Sequence, residues 1–307
     1  MCVRAKLFGY MLGDGWIDIK GNGGFSGERQ SLEIIAKDIN LLYGPNSTGK
    51  IRTEETYSPL YDIHGVTSQM TVKTRVIRSM LELGMPQGKR VETSYILPMW
   101  IMNGTYNIKI NFISGYYAAD GMIPSLQVND ETPKPLLFSF YKDKNLELNG
   151  DLLAEQYRRI VSDIGFDTSL KKVNRFTGGP RIEYRITIHN QRDSFLKQLQ
   201  CLDLAYCSYR EQRRLQLISY LSFKQQKLNE INQVRKQVLD YKRQGKTYRQ
   251  IQDLTGLAKH NIEAIIYGKN KGHRVVGFPK FSEYLHMCSS LKTPLNDESP
   301  KVTETLG

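Results

Sequence analysis

Leu7-Phe8-Gly9-Tyr10-Met11-Leu12-Gly13-Asp14-Gly15 and Ile113-Ser114-Gly115-Tyr116-Tyr117-Ala118-Ala119-Asp120-Gly121 are two copies of one phrase. Each places small residues four apart (Gly9 and Gly13; Gly115 and Ala119) and then an Asp-Gly pair. The apolar runs leading into them predict two short helices, Val3–Gly13 and Asn107–Ala119. Glycine inside a helix costs about 0.5–1 kcal/mol relative to alanine, so something must offset it. Residues four apart share a helix face, and two flat stripes facing each other allow close packing. An aspartate at a helix C-terminus opposes the macrodipole by about 0.3–1 kcal/mol, and two such ends side by side repel. A divalent cation relieves both penalties. Gly15 and Gly121 read as left-handed residues that end each helix. A lone Asp-Gly is ordinarily only a helix stop. Two copies with matched spacing point instead to a two-fold protein with one carboxylate per half at a shared centre.

Around the phrases the pattern continues. Trp16–Lys20, Lys50–Thr53 and Tyr61–Thr67 are strand-like, while Ser31–Tyr43 and Lys73–Leu83 have helical periodicity. Later, Glu147–Ile164 and Gln191–Leu202 read as helices, and Ser169–Arg175 and Ile182–His189 as strands. With these residues the chain resembles the LAGLIDADG homing endonuclease family, in its single-chain, two-motif form, over about residues 4 to 220. Tyr95-Ile96-Leu97-Pro98-Met99-Trp100-Ile101 looks like the stretch before the second motif in intein-type members, with Tyr95 where they often carry lysine.

The resemblance implies an α+β fold of two pseudo-symmetric αββαββα half-domains, residues 1–104 and 105–222, forming a DNA-binding saddle. It implies Asp14 and Asp120 as catalytic, metal-binding carboxylates. The backbone carbonyls of Gly13 and Ala119 would be further ligands of Mg²⁺, with Mn²⁺ as a substitute. In place of the family lysine, Lys89 or Arg90 is the candidate basic helper of the first half, and Arg181 or Arg185 that of the second. The implied activity is a Mg²⁺-dependent, site-specific double-strand endodeoxyribonuclease, acting as a monomer on double-stranded DNA in intron homing. Two alternatives use the same fold: an RNA maturase assisting intron splicing, and a DNA-binding protein that does not cut.

The formal net charge is +12 and the pI about 9.4, which favours a polyanionic partner without separating DNA, RNA and an anionic membrane. Basic residues interleave with strand-like segments, and Lys20, Arg52, Lys142, Lys144, Lys171, Arg175 and Arg185 are the candidate nucleic-acid contacts. No apolar run approaches the ~18 residues of a membrane span, and no signal-peptide core opens the chain. An intracellular, cytoplasmic protein without a membrane partner is expected. Cys2, Cys201, Cys207 and Cys288 lack metal-binding spacing and read as unbridged.

Past Tyr209 a long polar helical stretch leads to residues 223–275, read as a helix-turn-helix-like unit. Thr247 is its N-cap, Gly256 its turn, and Val238, Ile251, Leu254, Leu257, Ile262 and Ile265 its core. Lys259 and Asn261 open its candidate recognition helix. Residues 276–307 read as a polar, disordered tail. Gly44–Lys50 imitates a P-loop, but Ile51 replaces the Mg²⁺-binding hydroxyl and Pro45 removes a backbone donor, so it reads as a turn.

Overall fold

The structure, a computed structural model, describes residues 1–58, 63–127, 132–173, 180–189, 194–267 and 278–290 of the 307. The fold is α+β. Helix α1 (Cys2–Asp14) runs into the hairpin β1 (Gly15–Ile17) and β2 (Gly23–Gly27), followed by α2 (Arg29–Tyr43). A long hairpin, β3 (Thr48–Ser58) and β4 (Ile63–Val72), precedes α3 (Thr74–Glu82) and the single turn α4 (Met99–Met102). Then come α5 (Tyr106–Asp120), β5 (Leu136–Asp143), α6 (Glu147–Asp163), β6 (Thr168–Val173), β7 (Arg181–Ile188) and α7 (Ser194–Cys201). Four helices follow among the described residues: α8 (Ser208–Arg243), α9 (Tyr248–Thr255), α10 (Lys259–Ile266) and α11 (Phe281–Ser290).

Among the described residues two antiparallel sheets form, in the orders β1-β2-β4-β3 and β5-β7-β6. Helix α2 covers the first sheet and α6 the second. The first copy of the phrase therefore heads the full expected element order. The second copy does not: among the described residues its opening strand is reduced to isolated bridges, Gly121 to Phe138 and, in the same register, Leu126 to Pro133. Pro124 has no N–H to give the ladder: pairing lapses after Met122 N–H to the Leu137 carbonyl (2.7 Å) and resumes with Lys134 N–H to the Ser125 carbonyl (2.9 Å).

Helices α1 and α5 pack in parallel with their backbones touching. A Cβ on Gly9 would lie 2.1 Å from the Phe112 carbonyl oxygen. One on Gly115 would lie 2.0 Å from that of Lys6, and one on Gly13 would lie 2.2 Å from the Ala119 Cβ. The small-residue stripes are thus a steric requirement. Gly15 and Gly121 differ from expectation: their φ values, −93° and −74°, are extended rather than left-handed. The reason for glycine there is crowding, since a Cβ would meet Met11 at 2.6 Å and Tyr117 at 2.4 Å on the preceding helical turn.

Aromatic side chains fill the space between α5, α6 and the second sheet. Tyr157 stacks on Phe112 (centroids 5.8 Å apart), and Phe140 on Tyr184 (5.0 Å). Along β5, Leu136, Phe138, Phe140 and Lys142 alternate inward. The opposite face carries Ser139, Arg185 and Lys171 in cross-strand register.

The described chain divides into two compact units: Met1–Leu126 with Pro133–Ile218, and Ser219 onward with Gln127–Thr132. In the latter, Val238, Ile251 and Ile262 are buried, with Leu257 and Ile265 packed against them. Leu254, expected in that core, is 53% exposed. Thr247 forms a reciprocal capping box with Gln250, and Gly256 takes the left-handed turn at φ 67° that connects α9 to α10. Within the stretch expected to be a disordered tail, α11 is a helix whose Phe281 is buried against Tyr220, centroids 5.2 Å apart. The remainder of that tail lies outside the described residues.

Substituting Gly115→Ala forces a methyl group into the Lys6 carbonyl, and overpacking of this kind costs about 3 kcal/mol. Urea unfolding should show that loss; a change under about 1 kcal/mol would mean that the helices have room to spare.

Candidate functional site

Parallel packing brings the C-termini of α1 and α5 to one place. A Cβ on Gly13 would stand 3.1 Å from Asp120 Oδ2, so the two carboxylates neighbour each other. Asp14 is half-buried and Asp120 exposed, yet both carboxyls are closely surrounded by protein. Desolvation, and then the charge of Asp120, push the Asp14 pKa up to about 7, against the pull of Arg210 and Arg90. Asp120 is also raised by desolvation, while Arg90, a hydrogen bond from Tyr116, and Arg210 oppose the shift.

Each helix end carries one arginine. Arg90 donates from Nη1 to the Met11 carbonyl and from Nη2 to the Gly13 carbonyl, both at 2.6 Å. Arg210 donates from Nη1 to the carbonyls of Ala118 (2.5 Å) and Ala119 (2.9 Å). These guanidinium groups satisfy carbonyls that a helix terminus leaves orphaned. They also set positive charge against the negative ends of both macrodipoles.

Arg90 is itself held from below. Lys142, buried on β5, donates Nζ to the carbonyls of Arg90 (2.7 Å) and Thr93 (2.5 Å) and sits 4.1 Å over the Tyr95 ring. Burial, and then the Arg90 charge, lower its pKa to about 8. Tyr95, in the loop before α4, occupies the position at which the resemblance puts a lysine, and here it carries Lys142 of β5 over its ring.

The structure gathers some predicted residues and disperses others. Asp14, Asp120, Gly13 and Ala119 converge, but the Gly13 and Ala119 carbonyls, expected to ligate metal, accept from Arg90 and Arg210. Lys89 is 76% exposed and pairs with Glu92 at 3.1 Å rather than with the carboxylates; Arg90 takes that place. Arg181 lies at the start of β7 beside Asp143 (3.4 Å), and Arg185 pairs with Glu183 on the same strand. Lys142 does not face solvent and is unavailable as a nucleic-acid contact. Lys20, Arg52, Lys144 and Lys171 are exposed, with no acidic partner among the described residues. Lys259 is exposed and lies 3.8 Å from Glu263, and Asn261 is half-buried in the first turn of α10. Arg175 lies outside the described residues.

Arg210 was not singled out from the sequence. It stands in an arginine-rich helical stretch, where nothing in the spacing sets it apart. Among the described residues no three His, Cys, Asp or Glu side chains come together as a metal site. The four cysteines are unbridged, and no described helix is long and apolar enough to cross a membrane.

No protein-family model matches the chain. Among curated proteins it is 27% identical over 301 residues to the tRNA-splicing ligase RtcB of Pyrococcus furiosus, a match covering 91% of this chain and 29% of that protein. It is also 27% identical to the protein of the same name from Pyrococcus abyssi, over 75% of this chain and 25% of that protein. The chain thus spans less than a third of the length of these relatives. A differently named protein, the replication factor C small subunit of Methanocaldococcus jannaschii, matches 66% of the chain at 24% identity over 11% of its own length. Among solved structures, a variant of the homing endonuclease I-DmoI aligns with 66% of this chain and 96% of its own, at 15% identity and a TM-score of 0.36.

These similarities correct the expectation from sequence. The curated matches return repeatedly to proteins named for tRNA splicing and ligation. The assignment to the LAGLIDADG homing endonucleases is therefore withdrawn. With it go the endodeoxyribonuclease activity, its role in intron homing and the double-stranded DNA partner. The physical reason lies in the phrase itself. Its glycines are required by helix contact and crowding, so their spacing specifies packing and not a cleavage reaction.

A carboxylate raised in the folded state contributes stability that is complete below its unfolded pKa, near 4, and is lost as pH rises through its folded value, about 7. Asp14→Asn should therefore melt a few degrees above the unchanged protein at pH 8, at about 2–4 °C per kcal/mol, with the difference vanishing near pH 4. A lower melting temperature at pH 8 would overturn the assignment. Lys142→Met leaves the Arg90 and Thr93 carbonyls unpaired at about 1–3 kcal/mol. It should also speed amide exchange in residues 88–95; unchanged exchange there would show that Lys142 does not hold the Arg90 loop.

Proposed function

We propose that the chain is an RNA-binding module of RNA-processing proteins. The observation that carries this reading is the repeated similarity to proteins named tRNA-splicing ligase RtcB. Ligation belongs to those proteins as wholes, and the part proposed for this chain is to hold RNA.

In this reading α1 and α5 form a pseudo-two-fold centre between halves 1–104 and 105–222, and the open sheet faces make a saddle for the RNA backbone. Lys20 and Arg52 on the first half, and Lys144, Lys171 and Arg185 on the second, contact phosphates and ribose hydroxyls. The helical unit of residues 223–275 adds a separate contact through Lys259 and Asn261. Asp14, with its pKa near 7, can accept or return a proton at a ribose hydroxyl brought to the centre. Asp14 and Asp120 also fit a Mg²⁺ or Mn²⁺ ion held by one or two carboxylates and completed by water and phosphate oxygens. Such an ion would neutralise the pair when bound.

The match to replication factor C favours a second reading. A stretch shared by two differently named proteins, over a minor share of each, behaves as a unit carried within larger hosts rather than as the joining part of a ligase. Removing the matched stretch from the Pyrococcus furiosus protein separates the two. Retained ligation supports the carried unit, and lost ligation supports a working part of the ligase.

Binding measured by fluorescence anisotropy tests the first reading. A structured RNA should bind about tenfold tighter than DNA duplex of the same length, with affinity falling steeply as salt rises. The double change Arg52→Glu and Lys171→Glu should abolish most of it. Adding Mg²⁺ should strengthen binding in the unchanged protein but not in Asp14→Asn. Equal or tighter binding of the DNA duplex sinks the RNA assignment.

A further inference from the structure

Beside the carboxylate pair lies a cavity of about 590 Å³ that neither carboxylate occupies. Its walls include Trp16 and Ile19 from the β1–β2 hairpin, and Lys89 and Arg90 from the loop after α3. The loop is pinned to the hairpin, since Gly88 N–H donates to the Ile17 carbonyl at 2.8 Å and Gln87 Nε2 to the Asp18 carbonyl at 2.7 Å.

The lining combines an aromatic plane with cations. Trp16 pairs across the ladder with Gly24, which has no side chain to cover the indole. It lies on the sheet face opposite buried Phe25 and Met70. Ile19 is 84% exposed and extends the apolar wall. Lys89 makes an exposed pairing with Glu92, which it can exchange for a phosphate at little cost. The other acid of the lining, Asp18, is consumed by its own turn. It accepts from the backbone N–H groups of Lys20 (2.8 Å) and Asn22 (2.9 Å) and from Asn22 Nδ2 (3.0 Å). Arg90 closes the inner end, where it also caps α1 beside Asp14.

We infer that this cavity binds one unpaired nucleotide of RNA, its base stacked on Trp16 and its phosphate against Lys89. The volume is within the ordinary range of small-molecule pockets, roughly 300–1,000 Å³. Single-stranded RNA is recognised by splayed bases stacked on aromatic side chains. Gly15, in the same lining, adjoins Asp14, so a nucleotide held here brings its ribose toward the carboxylate centre. The inference rests on the RNA-binding reading above and names the part of the RNA that the centre receives.

The chain has two tryptophans. Trp100 is tied down by a 2.9 Å bond to the Leu83 carbonyl and an edge contact with Phe8, so Trp16 is the responsive one. Titrating the full chain with an unstructured RNA oligonucleotide should quench tryptophan fluorescence, and Trp16→Phe should remove most of the quench while keeping most of the affinity. Trp16→Ala should weaken that RNA about tenfold and leave a fully paired hairpin RNA unaffected. Circular dichroism melts of both variants report folding. If a folded Trp16→Ala binds unpaired RNA like the unchanged protein, or loses paired RNA equally, the pocket assignment falls while RNA binding stands. Binding of single-stranded DNA as tight as RNA also overturns it. No binding of any RNA by the unchanged chain overturns the pocket and the RNA-binding reading together.

Discussion

The backbone contact between α1 and α5 is the constraint from which the rest of the larger unit follows. Two helices whose carbonyls lie where a methyl group would otherwise be cannot slide or rotate without collision. Their register is therefore fixed, and their C-termini must end side by side. That arrangement concentrates unfavourable electrostatics, with two sets of orphaned carbonyls, two negative dipole ends and two aspartates. The fold answers with Arg90 and Arg210, one guanidinium per helix end, and with Lys142 beneath the loop that delivers the first. The cationic residues around the centre are part of its construction before they are available for any partner.

Much of this was legible in the sequence because it rests on short-range patterns. The paired phrases placed both helices and their contact faces, and the helical periods of α2, α3 and α6 appeared within a residue or two of their observed ends. Thr247 and Gly256 announced the start and the end of α9 by local chemistry alone. Lys142 was misplaced although its position was readable. In Leu136-Leu137-Phe138-Ser139-Phe140-Tyr141-Lys142 it is in phase with Phe138 and Phe140, and period two puts it inside. A rule that charged residues face solvent outweighed that alternation. Gly15 and Gly121 were given the wrong reason, because crowding against the previous helical turn requires glycine as strictly as positive φ does. Arg210 was invisible: its role depends on a helix start meeting another helix end far away in the chain, and no local pattern records that.

The similarity to curated proteins and the geometry bear on different questions. Geometry explains why the phrase exists, namely that close parallel helices need small residues and a residue without Cβ at each exit. Packing does not need the aspartates, since the small residues make the helix contact. The matched proteins carry two different names, and each is matched over a minor part of its length. The RNA-binding role is proposed for the matched stretch and not for the whole of either protein.

The two capping arginines enter the chain at very different times. Arg90 lies in the loop after α3, ahead of α5 in the chain, whereas Arg210 opens a helix well past the second sheet. During synthesis, which delivers about 5–20 residues per second from the N-terminus, the cap of α1 emerges before α5 does. The second helix end then stays uncapped until nearly all of the larger unit has emerged. The pairing of distant segments also makes loop closure the slow part of assembly. A chain stopped short of Arg210 would hold both aspartates but lack the cap on α5.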